Sequence, residues 1–211
     1  MNVRPNLRPS LRRALVVASG LALSATLAAC GGNTSGMSGM SSSSAPAAAT
    51  SSSAAADPAS AQGDIEFAQG MIPHHEQAVE MADLALKNGS SAQVKDLATQ
   101  IKAAQDPEIA TMRGWLKTWG ADEGMAGMDH SGMDSMPGTM TDDDMKKLGA
   151  ATGTEFDRMW LQLMIAHHQG ALTMANQVLA TTADPKVKTL AEGIVNGQTK
   201  EIDTMKGLLA G

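Results

Sequence analysis

No disulfide can staple this fold. The chain has one cysteine, Cys30, so nothing within it can pair and stability has to come from a packed core. There is no nucleophile with a base at catalytic spacing, and no glycine-rich loop of the kind that cradles phosphates. Five histidines and no reactive cysteine in the folded part argue against most hydrolytic chemistry. Positive charge is scarce as well. Sixteen basic residues face 22 acidic ones, and four of the sixteen (Arg4, Arg8, Arg12, Arg13) precede Cys30 with no acid among them. A chain starting at Cys30 would set 12 basic residues against 22 acidic ones, a net charge of −10. Such a surface opposes nucleic-acid binding and attracts cations. The longest apolar run, residues 14–29, is too short and wrongly flanked to make a good membrane-spanning helix.

That run reads instead as an address. A basic start, a short apolar core and small residues before a cleavage point mark residues 1–29 as a secretory signal peptide. Leu27-Ala28-Ala29-Cys30 resembles the bacterial lipobox, in which the cysteine is lipidated and becomes the mature N-terminus. The expectation is an exported domain, lipid-anchored through Cys30 and facing the periplasm or the cell exterior. A retained anchor helix with an incidental cysteine is the competing reading. Residues 30–62 are mostly Ser, Ala and Gly, too poor in apolar mass to order themselves. They are expected to form a disordered tether, with Met37 and Met40 as part of the spacer and metal capture by them as the competing reading.

The folded part, residues 63–211, is organised around a repeat. Met71-Ile72-Pro73-His74-His75, followed by Met81, returns 93 residues later as Met164-Ile165-Ala166-His167-His168, followed by Met174. Four of the five histidines lie in these two copies. The repeat continues downstream: Leu86, Val94, Leu97, Ile101, Gln105, Glu108, Ile109, Met112 and Leu116 align with Leu179, Val187, Leu190, Ile194, Gln198, Glu201, Ile202, Met205 and Leu209.

Helical periodicity runs from near Asp64 through Phe67, Met71, His75, Val79, Ala82 and Leu86, and stops at Asn88-Gly89. Pro73 lies inside it and should kink or restart the helix. A second helix is expected over residues 91–119, closed by Gly120. A third is expected over 154–181, and a fourth from Pro185, well placed in a first turn, to 209. The fold class is therefore all-α: a four-helix bundle made from a duplicated αα-hairpin.

Residues 121–152 interrupt the repeat with Met125, Met128, Met133, Met136, Met140 and Met145 around His130, among Gly, Asp and Ser. This insert lacks the apolar mass of a core element and reads as a mobile Met-rich strip, able to wrap a soft ion. A bland linker, or a sink for methionine oxidation, are the alternatives.

The two motifs carry the chemistry. At about 100° per residue, Met71, His74, His75 and Met81 share one helical face, as do Met164, His167, His168 and Met174. Imidazole suits several transition metals, while thioether sulfur selects soft ones, Cu(I) above all. These eight residues are the candidate ligands, and copper as Cu(I) the candidate ion. Core packing is the competing reading, above all for Met81 and Met174. Glu108 and Glu201 sit on apolar arcs and need partners; each can orient a metal-bound histidine, ligate directly, or reach the bundle end. Asp64 and Asp157 extend the two motif faces upstream as further oxygen donors or, for Asp64 especially, as N-terminal helix charges. Di-iron bundles use Glu-x-x-His on two helices. Here Met71 and Met164 stand where that glutamate would be, which disfavours an oxidase.

The pattern F-x-x-x-M-I-x-H-H-x-x-A-x-x-M at residues 67–81, copied with Trp160 at residues 160–174, resembles the bacterial domain-of-unknown-function 305 family. The resemblance covers about residues 64–210. It implies a ferritin-like bundle, exported or lipid-anchored, with copper binding and copper resistance in some members and the eight motif residues as the ligand set. The expected role is to sequester Cu(I) or hand it to a partner protein. A metal-dependent oxidase, or a structural lipoprotein without metal, are the alternatives.

Overall fold

The computed structural model describes residues 58–124 and 136–211. The signal peptide, Cys30, the tether up to residue 57 and Met125, Met128, His130 and Met133 lie outside the described residues, while the tether's last residues, 58–62, belong to the first helix. Among the described residues five helices follow in order: α1 (Pro58–Asn88), α2 (Ala92–Trp119), α3 (Asp142–Ala150), α4 (Gly153–Leu179) and α5 (Pro185–Ala210). The longer four form the duplicated hairpins, α1–α2 and α4–α5, and α1 against α4 is the main interface between them.

Local chemistry sets most helix ends. The Ser91 hydroxyl caps α2 by accepting from the Val94 N–H, and Gly120 closes it. Asp184 accepts from the N–H groups of Lys186 and Val187 at the start of α5, where Pro185 occupies the first turn.

Four expectations need correcting. Helix α1 begins at Pro58, upstream of Asp64, so Asp64 is not a first-turn charge. It is buried beside Thr182 instead, and that burial raises its pKa above the ordinary carboxylate value. Of the kink or restart expected at Pro73, the restart does not occur, since α1 is continuous through the proline; the apolar residues packed on both sides of the proline outweigh its one missing backbone bond. Leu86 is exposed rather than core.

The fourth correction concerns the insert at 121–152, which does supply a core element. Thr141 accepts from the Asp144 N–H and donates its hydroxyl to the Asp144 carboxylate, and three aspartates fill the first turn of α3. Leu148, fully buried, docks the helix in the same apolar cluster as Met140, with Met145 packed against that cluster. Met136, read as part of a mobile strip, sits in an ordered, half-buried turn.

The core is divided in two. One apolar cluster holds Phe67, Met71 and Ile72 of α1, Ile109 to Leu116 of α2, Ala171 to Val178 of α4 and Val187 to Ile194 of α5. The other holds Ala78 to Ala85, Val94 to Ile101, Phe156 to Met164, and Ile202 with Met205. On every long helix the residues between the two clusters include polar ones: His74, His75 and Gln77, then Gln105, then His167 and His168, then Gln198, all buried. The bundle thus has a polar waist between two apolar ends.

Candidate metal centre

Four imidazoles cross the waist in a row. His74 and His167, one from each hairpin, lie with ring centroids 3.8 Å apart and planes tilted by 39°. His75 flanks His74 at 6.5 Å, and His168 flanks His167 at 6.4 Å. All four rings are fully buried. The near-identical outer distances match the duplication of the hairpins.

Each hairpin supplies its own carboxylate to the row. His75 Nε2 donates to Glu108 at 2.8 Å and His168 Nε2 donates to Glu201 at 2.7 Å. Both glutamates are partly exposed while the rings are not. His74 Nε2 donates to the Pro137 carbonyl at 3.2 Å, an acceptor from the insert. In these three rings Nε2 therefore bears a proton, which in the neutral ring leaves the lone pair on Nδ1.

Those lone pairs have no partner. His74 Nδ1, His75 Nδ1, His168 Nδ1 and both nitrogens of His167 are buried without a well-formed hydrogen bond. Leaving buried polar atoms unmet is costly, and here five of them converge on one row. Burial also keeps two rings neutral. Desolvation, reinforced by the neighbouring imidazoles, lowers His74 to about 3 and His167 well below the ordinary value of 6.5. A neutral ring with a free lone pair is the form that binds a metal.

The motif methionines bracket the row. Met71 and Met174 pack in or against one apolar cluster, and Met81 and Met164 in the other. Met71, Met81 and Met164 are fully buried, and Met174 is half-buried. The Met81 carbonyl also accepts the Trp160 indole N–H at 2.8 Å.

The oxygen donors are committed elsewhere. Asp157 accepts from the N–H groups of Ser90 and Ser91, at 3.0 and 2.9 Å, and from the Ser90 hydroxyl. It is thus an N-terminal charge for α2, on the opposite hairpin from its own. Asp64 takes the matching place beside Thr182, in the turn leading to α5. Both aspartates tie one hairpin to the turn of the other and are removed from the waist. Among the described residues no group of three or more His, Cys, Asp or Glu side chains is arranged to hold an ion.

Sequence reasoning missed several residues here. Gln105 and Gln198 are buried with both amide atoms unpartnered. Each lies one turn before its glutamate, and the readable signal was a polar residue repeated at a core position. Pro137 and Gln77 gave no such signal. The ordered ends of the insert were also illegible: Gln69 donates to the Asp122 carbonyl at 2.9 Å, and Met136 Sδ and Met174 Cε both end over Gly70. The Met-rich segment therefore leaves and rejoins the bundle at neighbouring positions on α1, one turn before His74.

A family model described as a domain of unknown function, DUF305, matches residues 64–209. Three solved structures resemble the chain closely. A DUF305 protein of Streptomyces coelicolor, described as secreted, is 36% identical with a TM-score of 0.64, over 70% of this chain and 92% of that one. A DUF305 fragment from Deinococcus radiodurans is 32% identical with a TM-score of 0.65, over 74% and 97%. CopM in a Cu(II)-bound form is 32% identical with a TM-score of 0.62, over 70% and 95%; CopM has also been solved with Cu(I) and with silver. A curated relative, uncharacterized protein L153 of Acanthamoeba polyphaga mimivirus, is 40% identical over 53 residues. That match spans 25% of this chain and 35% of that protein.

Proposed function

The chain belongs to the DUF305 family, and from that premise we propose that it binds copper, as Cu(I), at the waist of its bundle. The observation that carries this reading is the row of five partnerless imidazole nitrogens, bracketed by motif thioethers. Nitrogen and sulfur together, with carboxylates held away, make a donor set for a soft cation. His74, His75, His167 and His168 supply the nitrogens. Met71, Met81, Met164 and Met174 supply the sulfurs. Glu108 and Glu201 act one step out, fixing ring orientation and raising the basicity of the inner nitrogen. The capture of copper and silver by CopM, a family member of the same fold, supports the choice of ion.

The same reasoning weighs against an oxidase. An oxygen-rich di-iron centre needs carboxylates facing inward, and here Asp64 and Asp157 hold turns while Glu108 and Glu201 hold imidazoles.

The biological role is storage or hand-on of Cu(I) outside the cytoplasm. The N-terminal 29 residues supply the export signal and Cys30 the lipid anchor. The net negative surface draws cations in, and the methionines at 125, 128 and 133 add soft donors to the chain. Among the described residues no helix is long and apolar enough to cross a membrane.

Titrating Cu(I) into the protein against a competing chelator tests the reading. Tight binding is expected, and it should be abolished when His74, His75, His167 and His168 are all replaced by alanine. Absence of tight binding, or binding that survives those changes, overturns it.

A further inference from the structure

The repeat breaks at one buried position in a complementary way. Where the first copy has Gln77, the second has Gly170, and residues 136–140 form a strap that uses both. Gln77 donates its amide to the Met140 carbonyl at 2.9 Å and accepts the Met140 N–H at 2.7 Å. Gly170 makes room on the other side: a Cβ there would stand 1.8 Å from the Pro137 carbonyl oxygen. Gly138 turns the strap with φ at +78°, and a Cβ on it would meet the Ala166 carbonyl oxygen at 2.5 Å. Held this way, the strap brings the Pro137 carbonyl to His74 Nε2.

We propose that Gln77 and Gly170 are positioning residues for the metal site. They seat the strap so that the Pro137 carbonyl holds the His74 ring with Nδ1 free, the part that Glu108 and Glu201 play for His75 and His168. The three outer contacts are not equal. A neutral carbonyl is a weaker acceptor than a carboxylate, so the strap is the outer contact that releases most readily. It is also the one continuous with the Met-rich segment, whose far end is held at Gln69. His74 is therefore the ring whose orientation depends on the insert, and ion release is controlled from its side of the row.

The inference rests on the copper reading for its second readout only. The first uses the metal-free protein. Long-range nitrogen–proton NMR spectra of the imidazoles should show slowly exchanging Nε2–H groups on His74, His75 and His168. In Gln77→Ala, and independently in Gly170→Ala, the His74 Nε2–H should exchange about tenfold faster or more, the effect of losing roughly one net hydrogen bond. His75 and His168 should keep their protection, which also shows that the bundle is intact. The second readout is transfer of bound Cu(I) to an excess of chelator, expected to be about tenfold faster in both variants. Unchanged His74 protection in both variants overturns the proposal, as does an unchanged release rate in a protein that binds Cu(I). If the unaltered protein binds no Cu(I), the copper reading fails and the metal-free spectra still decide whether the strap positions His74.

Discussion

In the first hairpin His75 reaches Glu108 at 2.8 Å, and in the second His168 reaches Glu201 at 2.7 Å. Around that shared pair the hairpins differ. The first has Pro73 and Pro107 one residue before His74 and Glu108, while the second has Ala166 and Lys200. The first has Gln77 and an insert carbonyl on His74; the second has Gly170 and no well-formed hydrogen bond on His167. Asp157 of the second hairpin collects three donors from the Ser90–Ser91 turn, whereas Asp64 has one carboxylate oxygen with no partner. The halves agree in what they aim at the waist and differ in what supports it. The donor set is the symmetric feature, and access and support are the asymmetric ones.

The sharpest way to break the comparison is to remove the central rings one at a time. His74→Ala and His167→Ala should each lower Cu(I) affinity by about 100-fold or more, since loss of an outer partner alone costs 10–100-fold. Chelator competition measures both. If only one ring matters, the site belongs to one hairpin rather than to the interface.

Next come the carboxylates. Glu108→Ala and Glu201→Ala should each weaken binding by about 10–100-fold and agree within a few-fold, because their geometries agree. A large inequality would show that the asymmetric surroundings reach the ligands.

Acid should act on the protein without metal. His74 and His167 are held below their ordinary value of 6.5 by burial, His74 to about 3. The unfolded chain therefore takes up protons that the folded chain refuses. The stability conferred by these neutral rings is complete above about pH 6.5 and is lost as pH falls below it, for His74 down to about 3, by up to about 1.4 kcal/mol per pH unit per ring. Denaturant unfolding at stepped pH reads this slope. His167→Ala should flatten it, and an unchanged slope in that variant would contradict the burial argument.

The smallest effects lie at the hairpin turns. Asp157→Asn should cost about 1–3 kcal/mol, as expected for hydrogen bonds to a charged acceptor. Asp64→Asn should cost less, since burial already disfavours its charge. Equal losses in thermal unfolding would show that the two cross-hairpin ties are more alike than their hydrogen bonds suggest.

Much of this architecture was legible in the chain. The 93-residue offset exposed the duplication, and apolar periodicity with Ser91, Gly120 and Pro185 placed the long helices. The motif faces placed the histidines and methionines on shared sides. What escaped has a common cause. Asp157 serves a turn 67 residues away, Gln77 a backbone 63 residues away, and His74 a carbonyl rather than a side chain. Periodicity reports which face of a helix is buried and is silent about partners brought in by tertiary folding. Helix α3 escaped for a different reason: methionine density drew attention away from the Thr141–Asp144 helix start and from Leu148.

Anomalous diffraction at the copper edge, on crystals of the protein loaded with Cu(I), tests the central claim most directly. The account predicts an anomalous peak at the waist, within bonding distance of imidazole nitrogen from both hairpins and of at least one motif sulfur. Copper found only on surface carboxylates, or bound to a single hairpin with the other's imidazoles uninvolved, would contradict it.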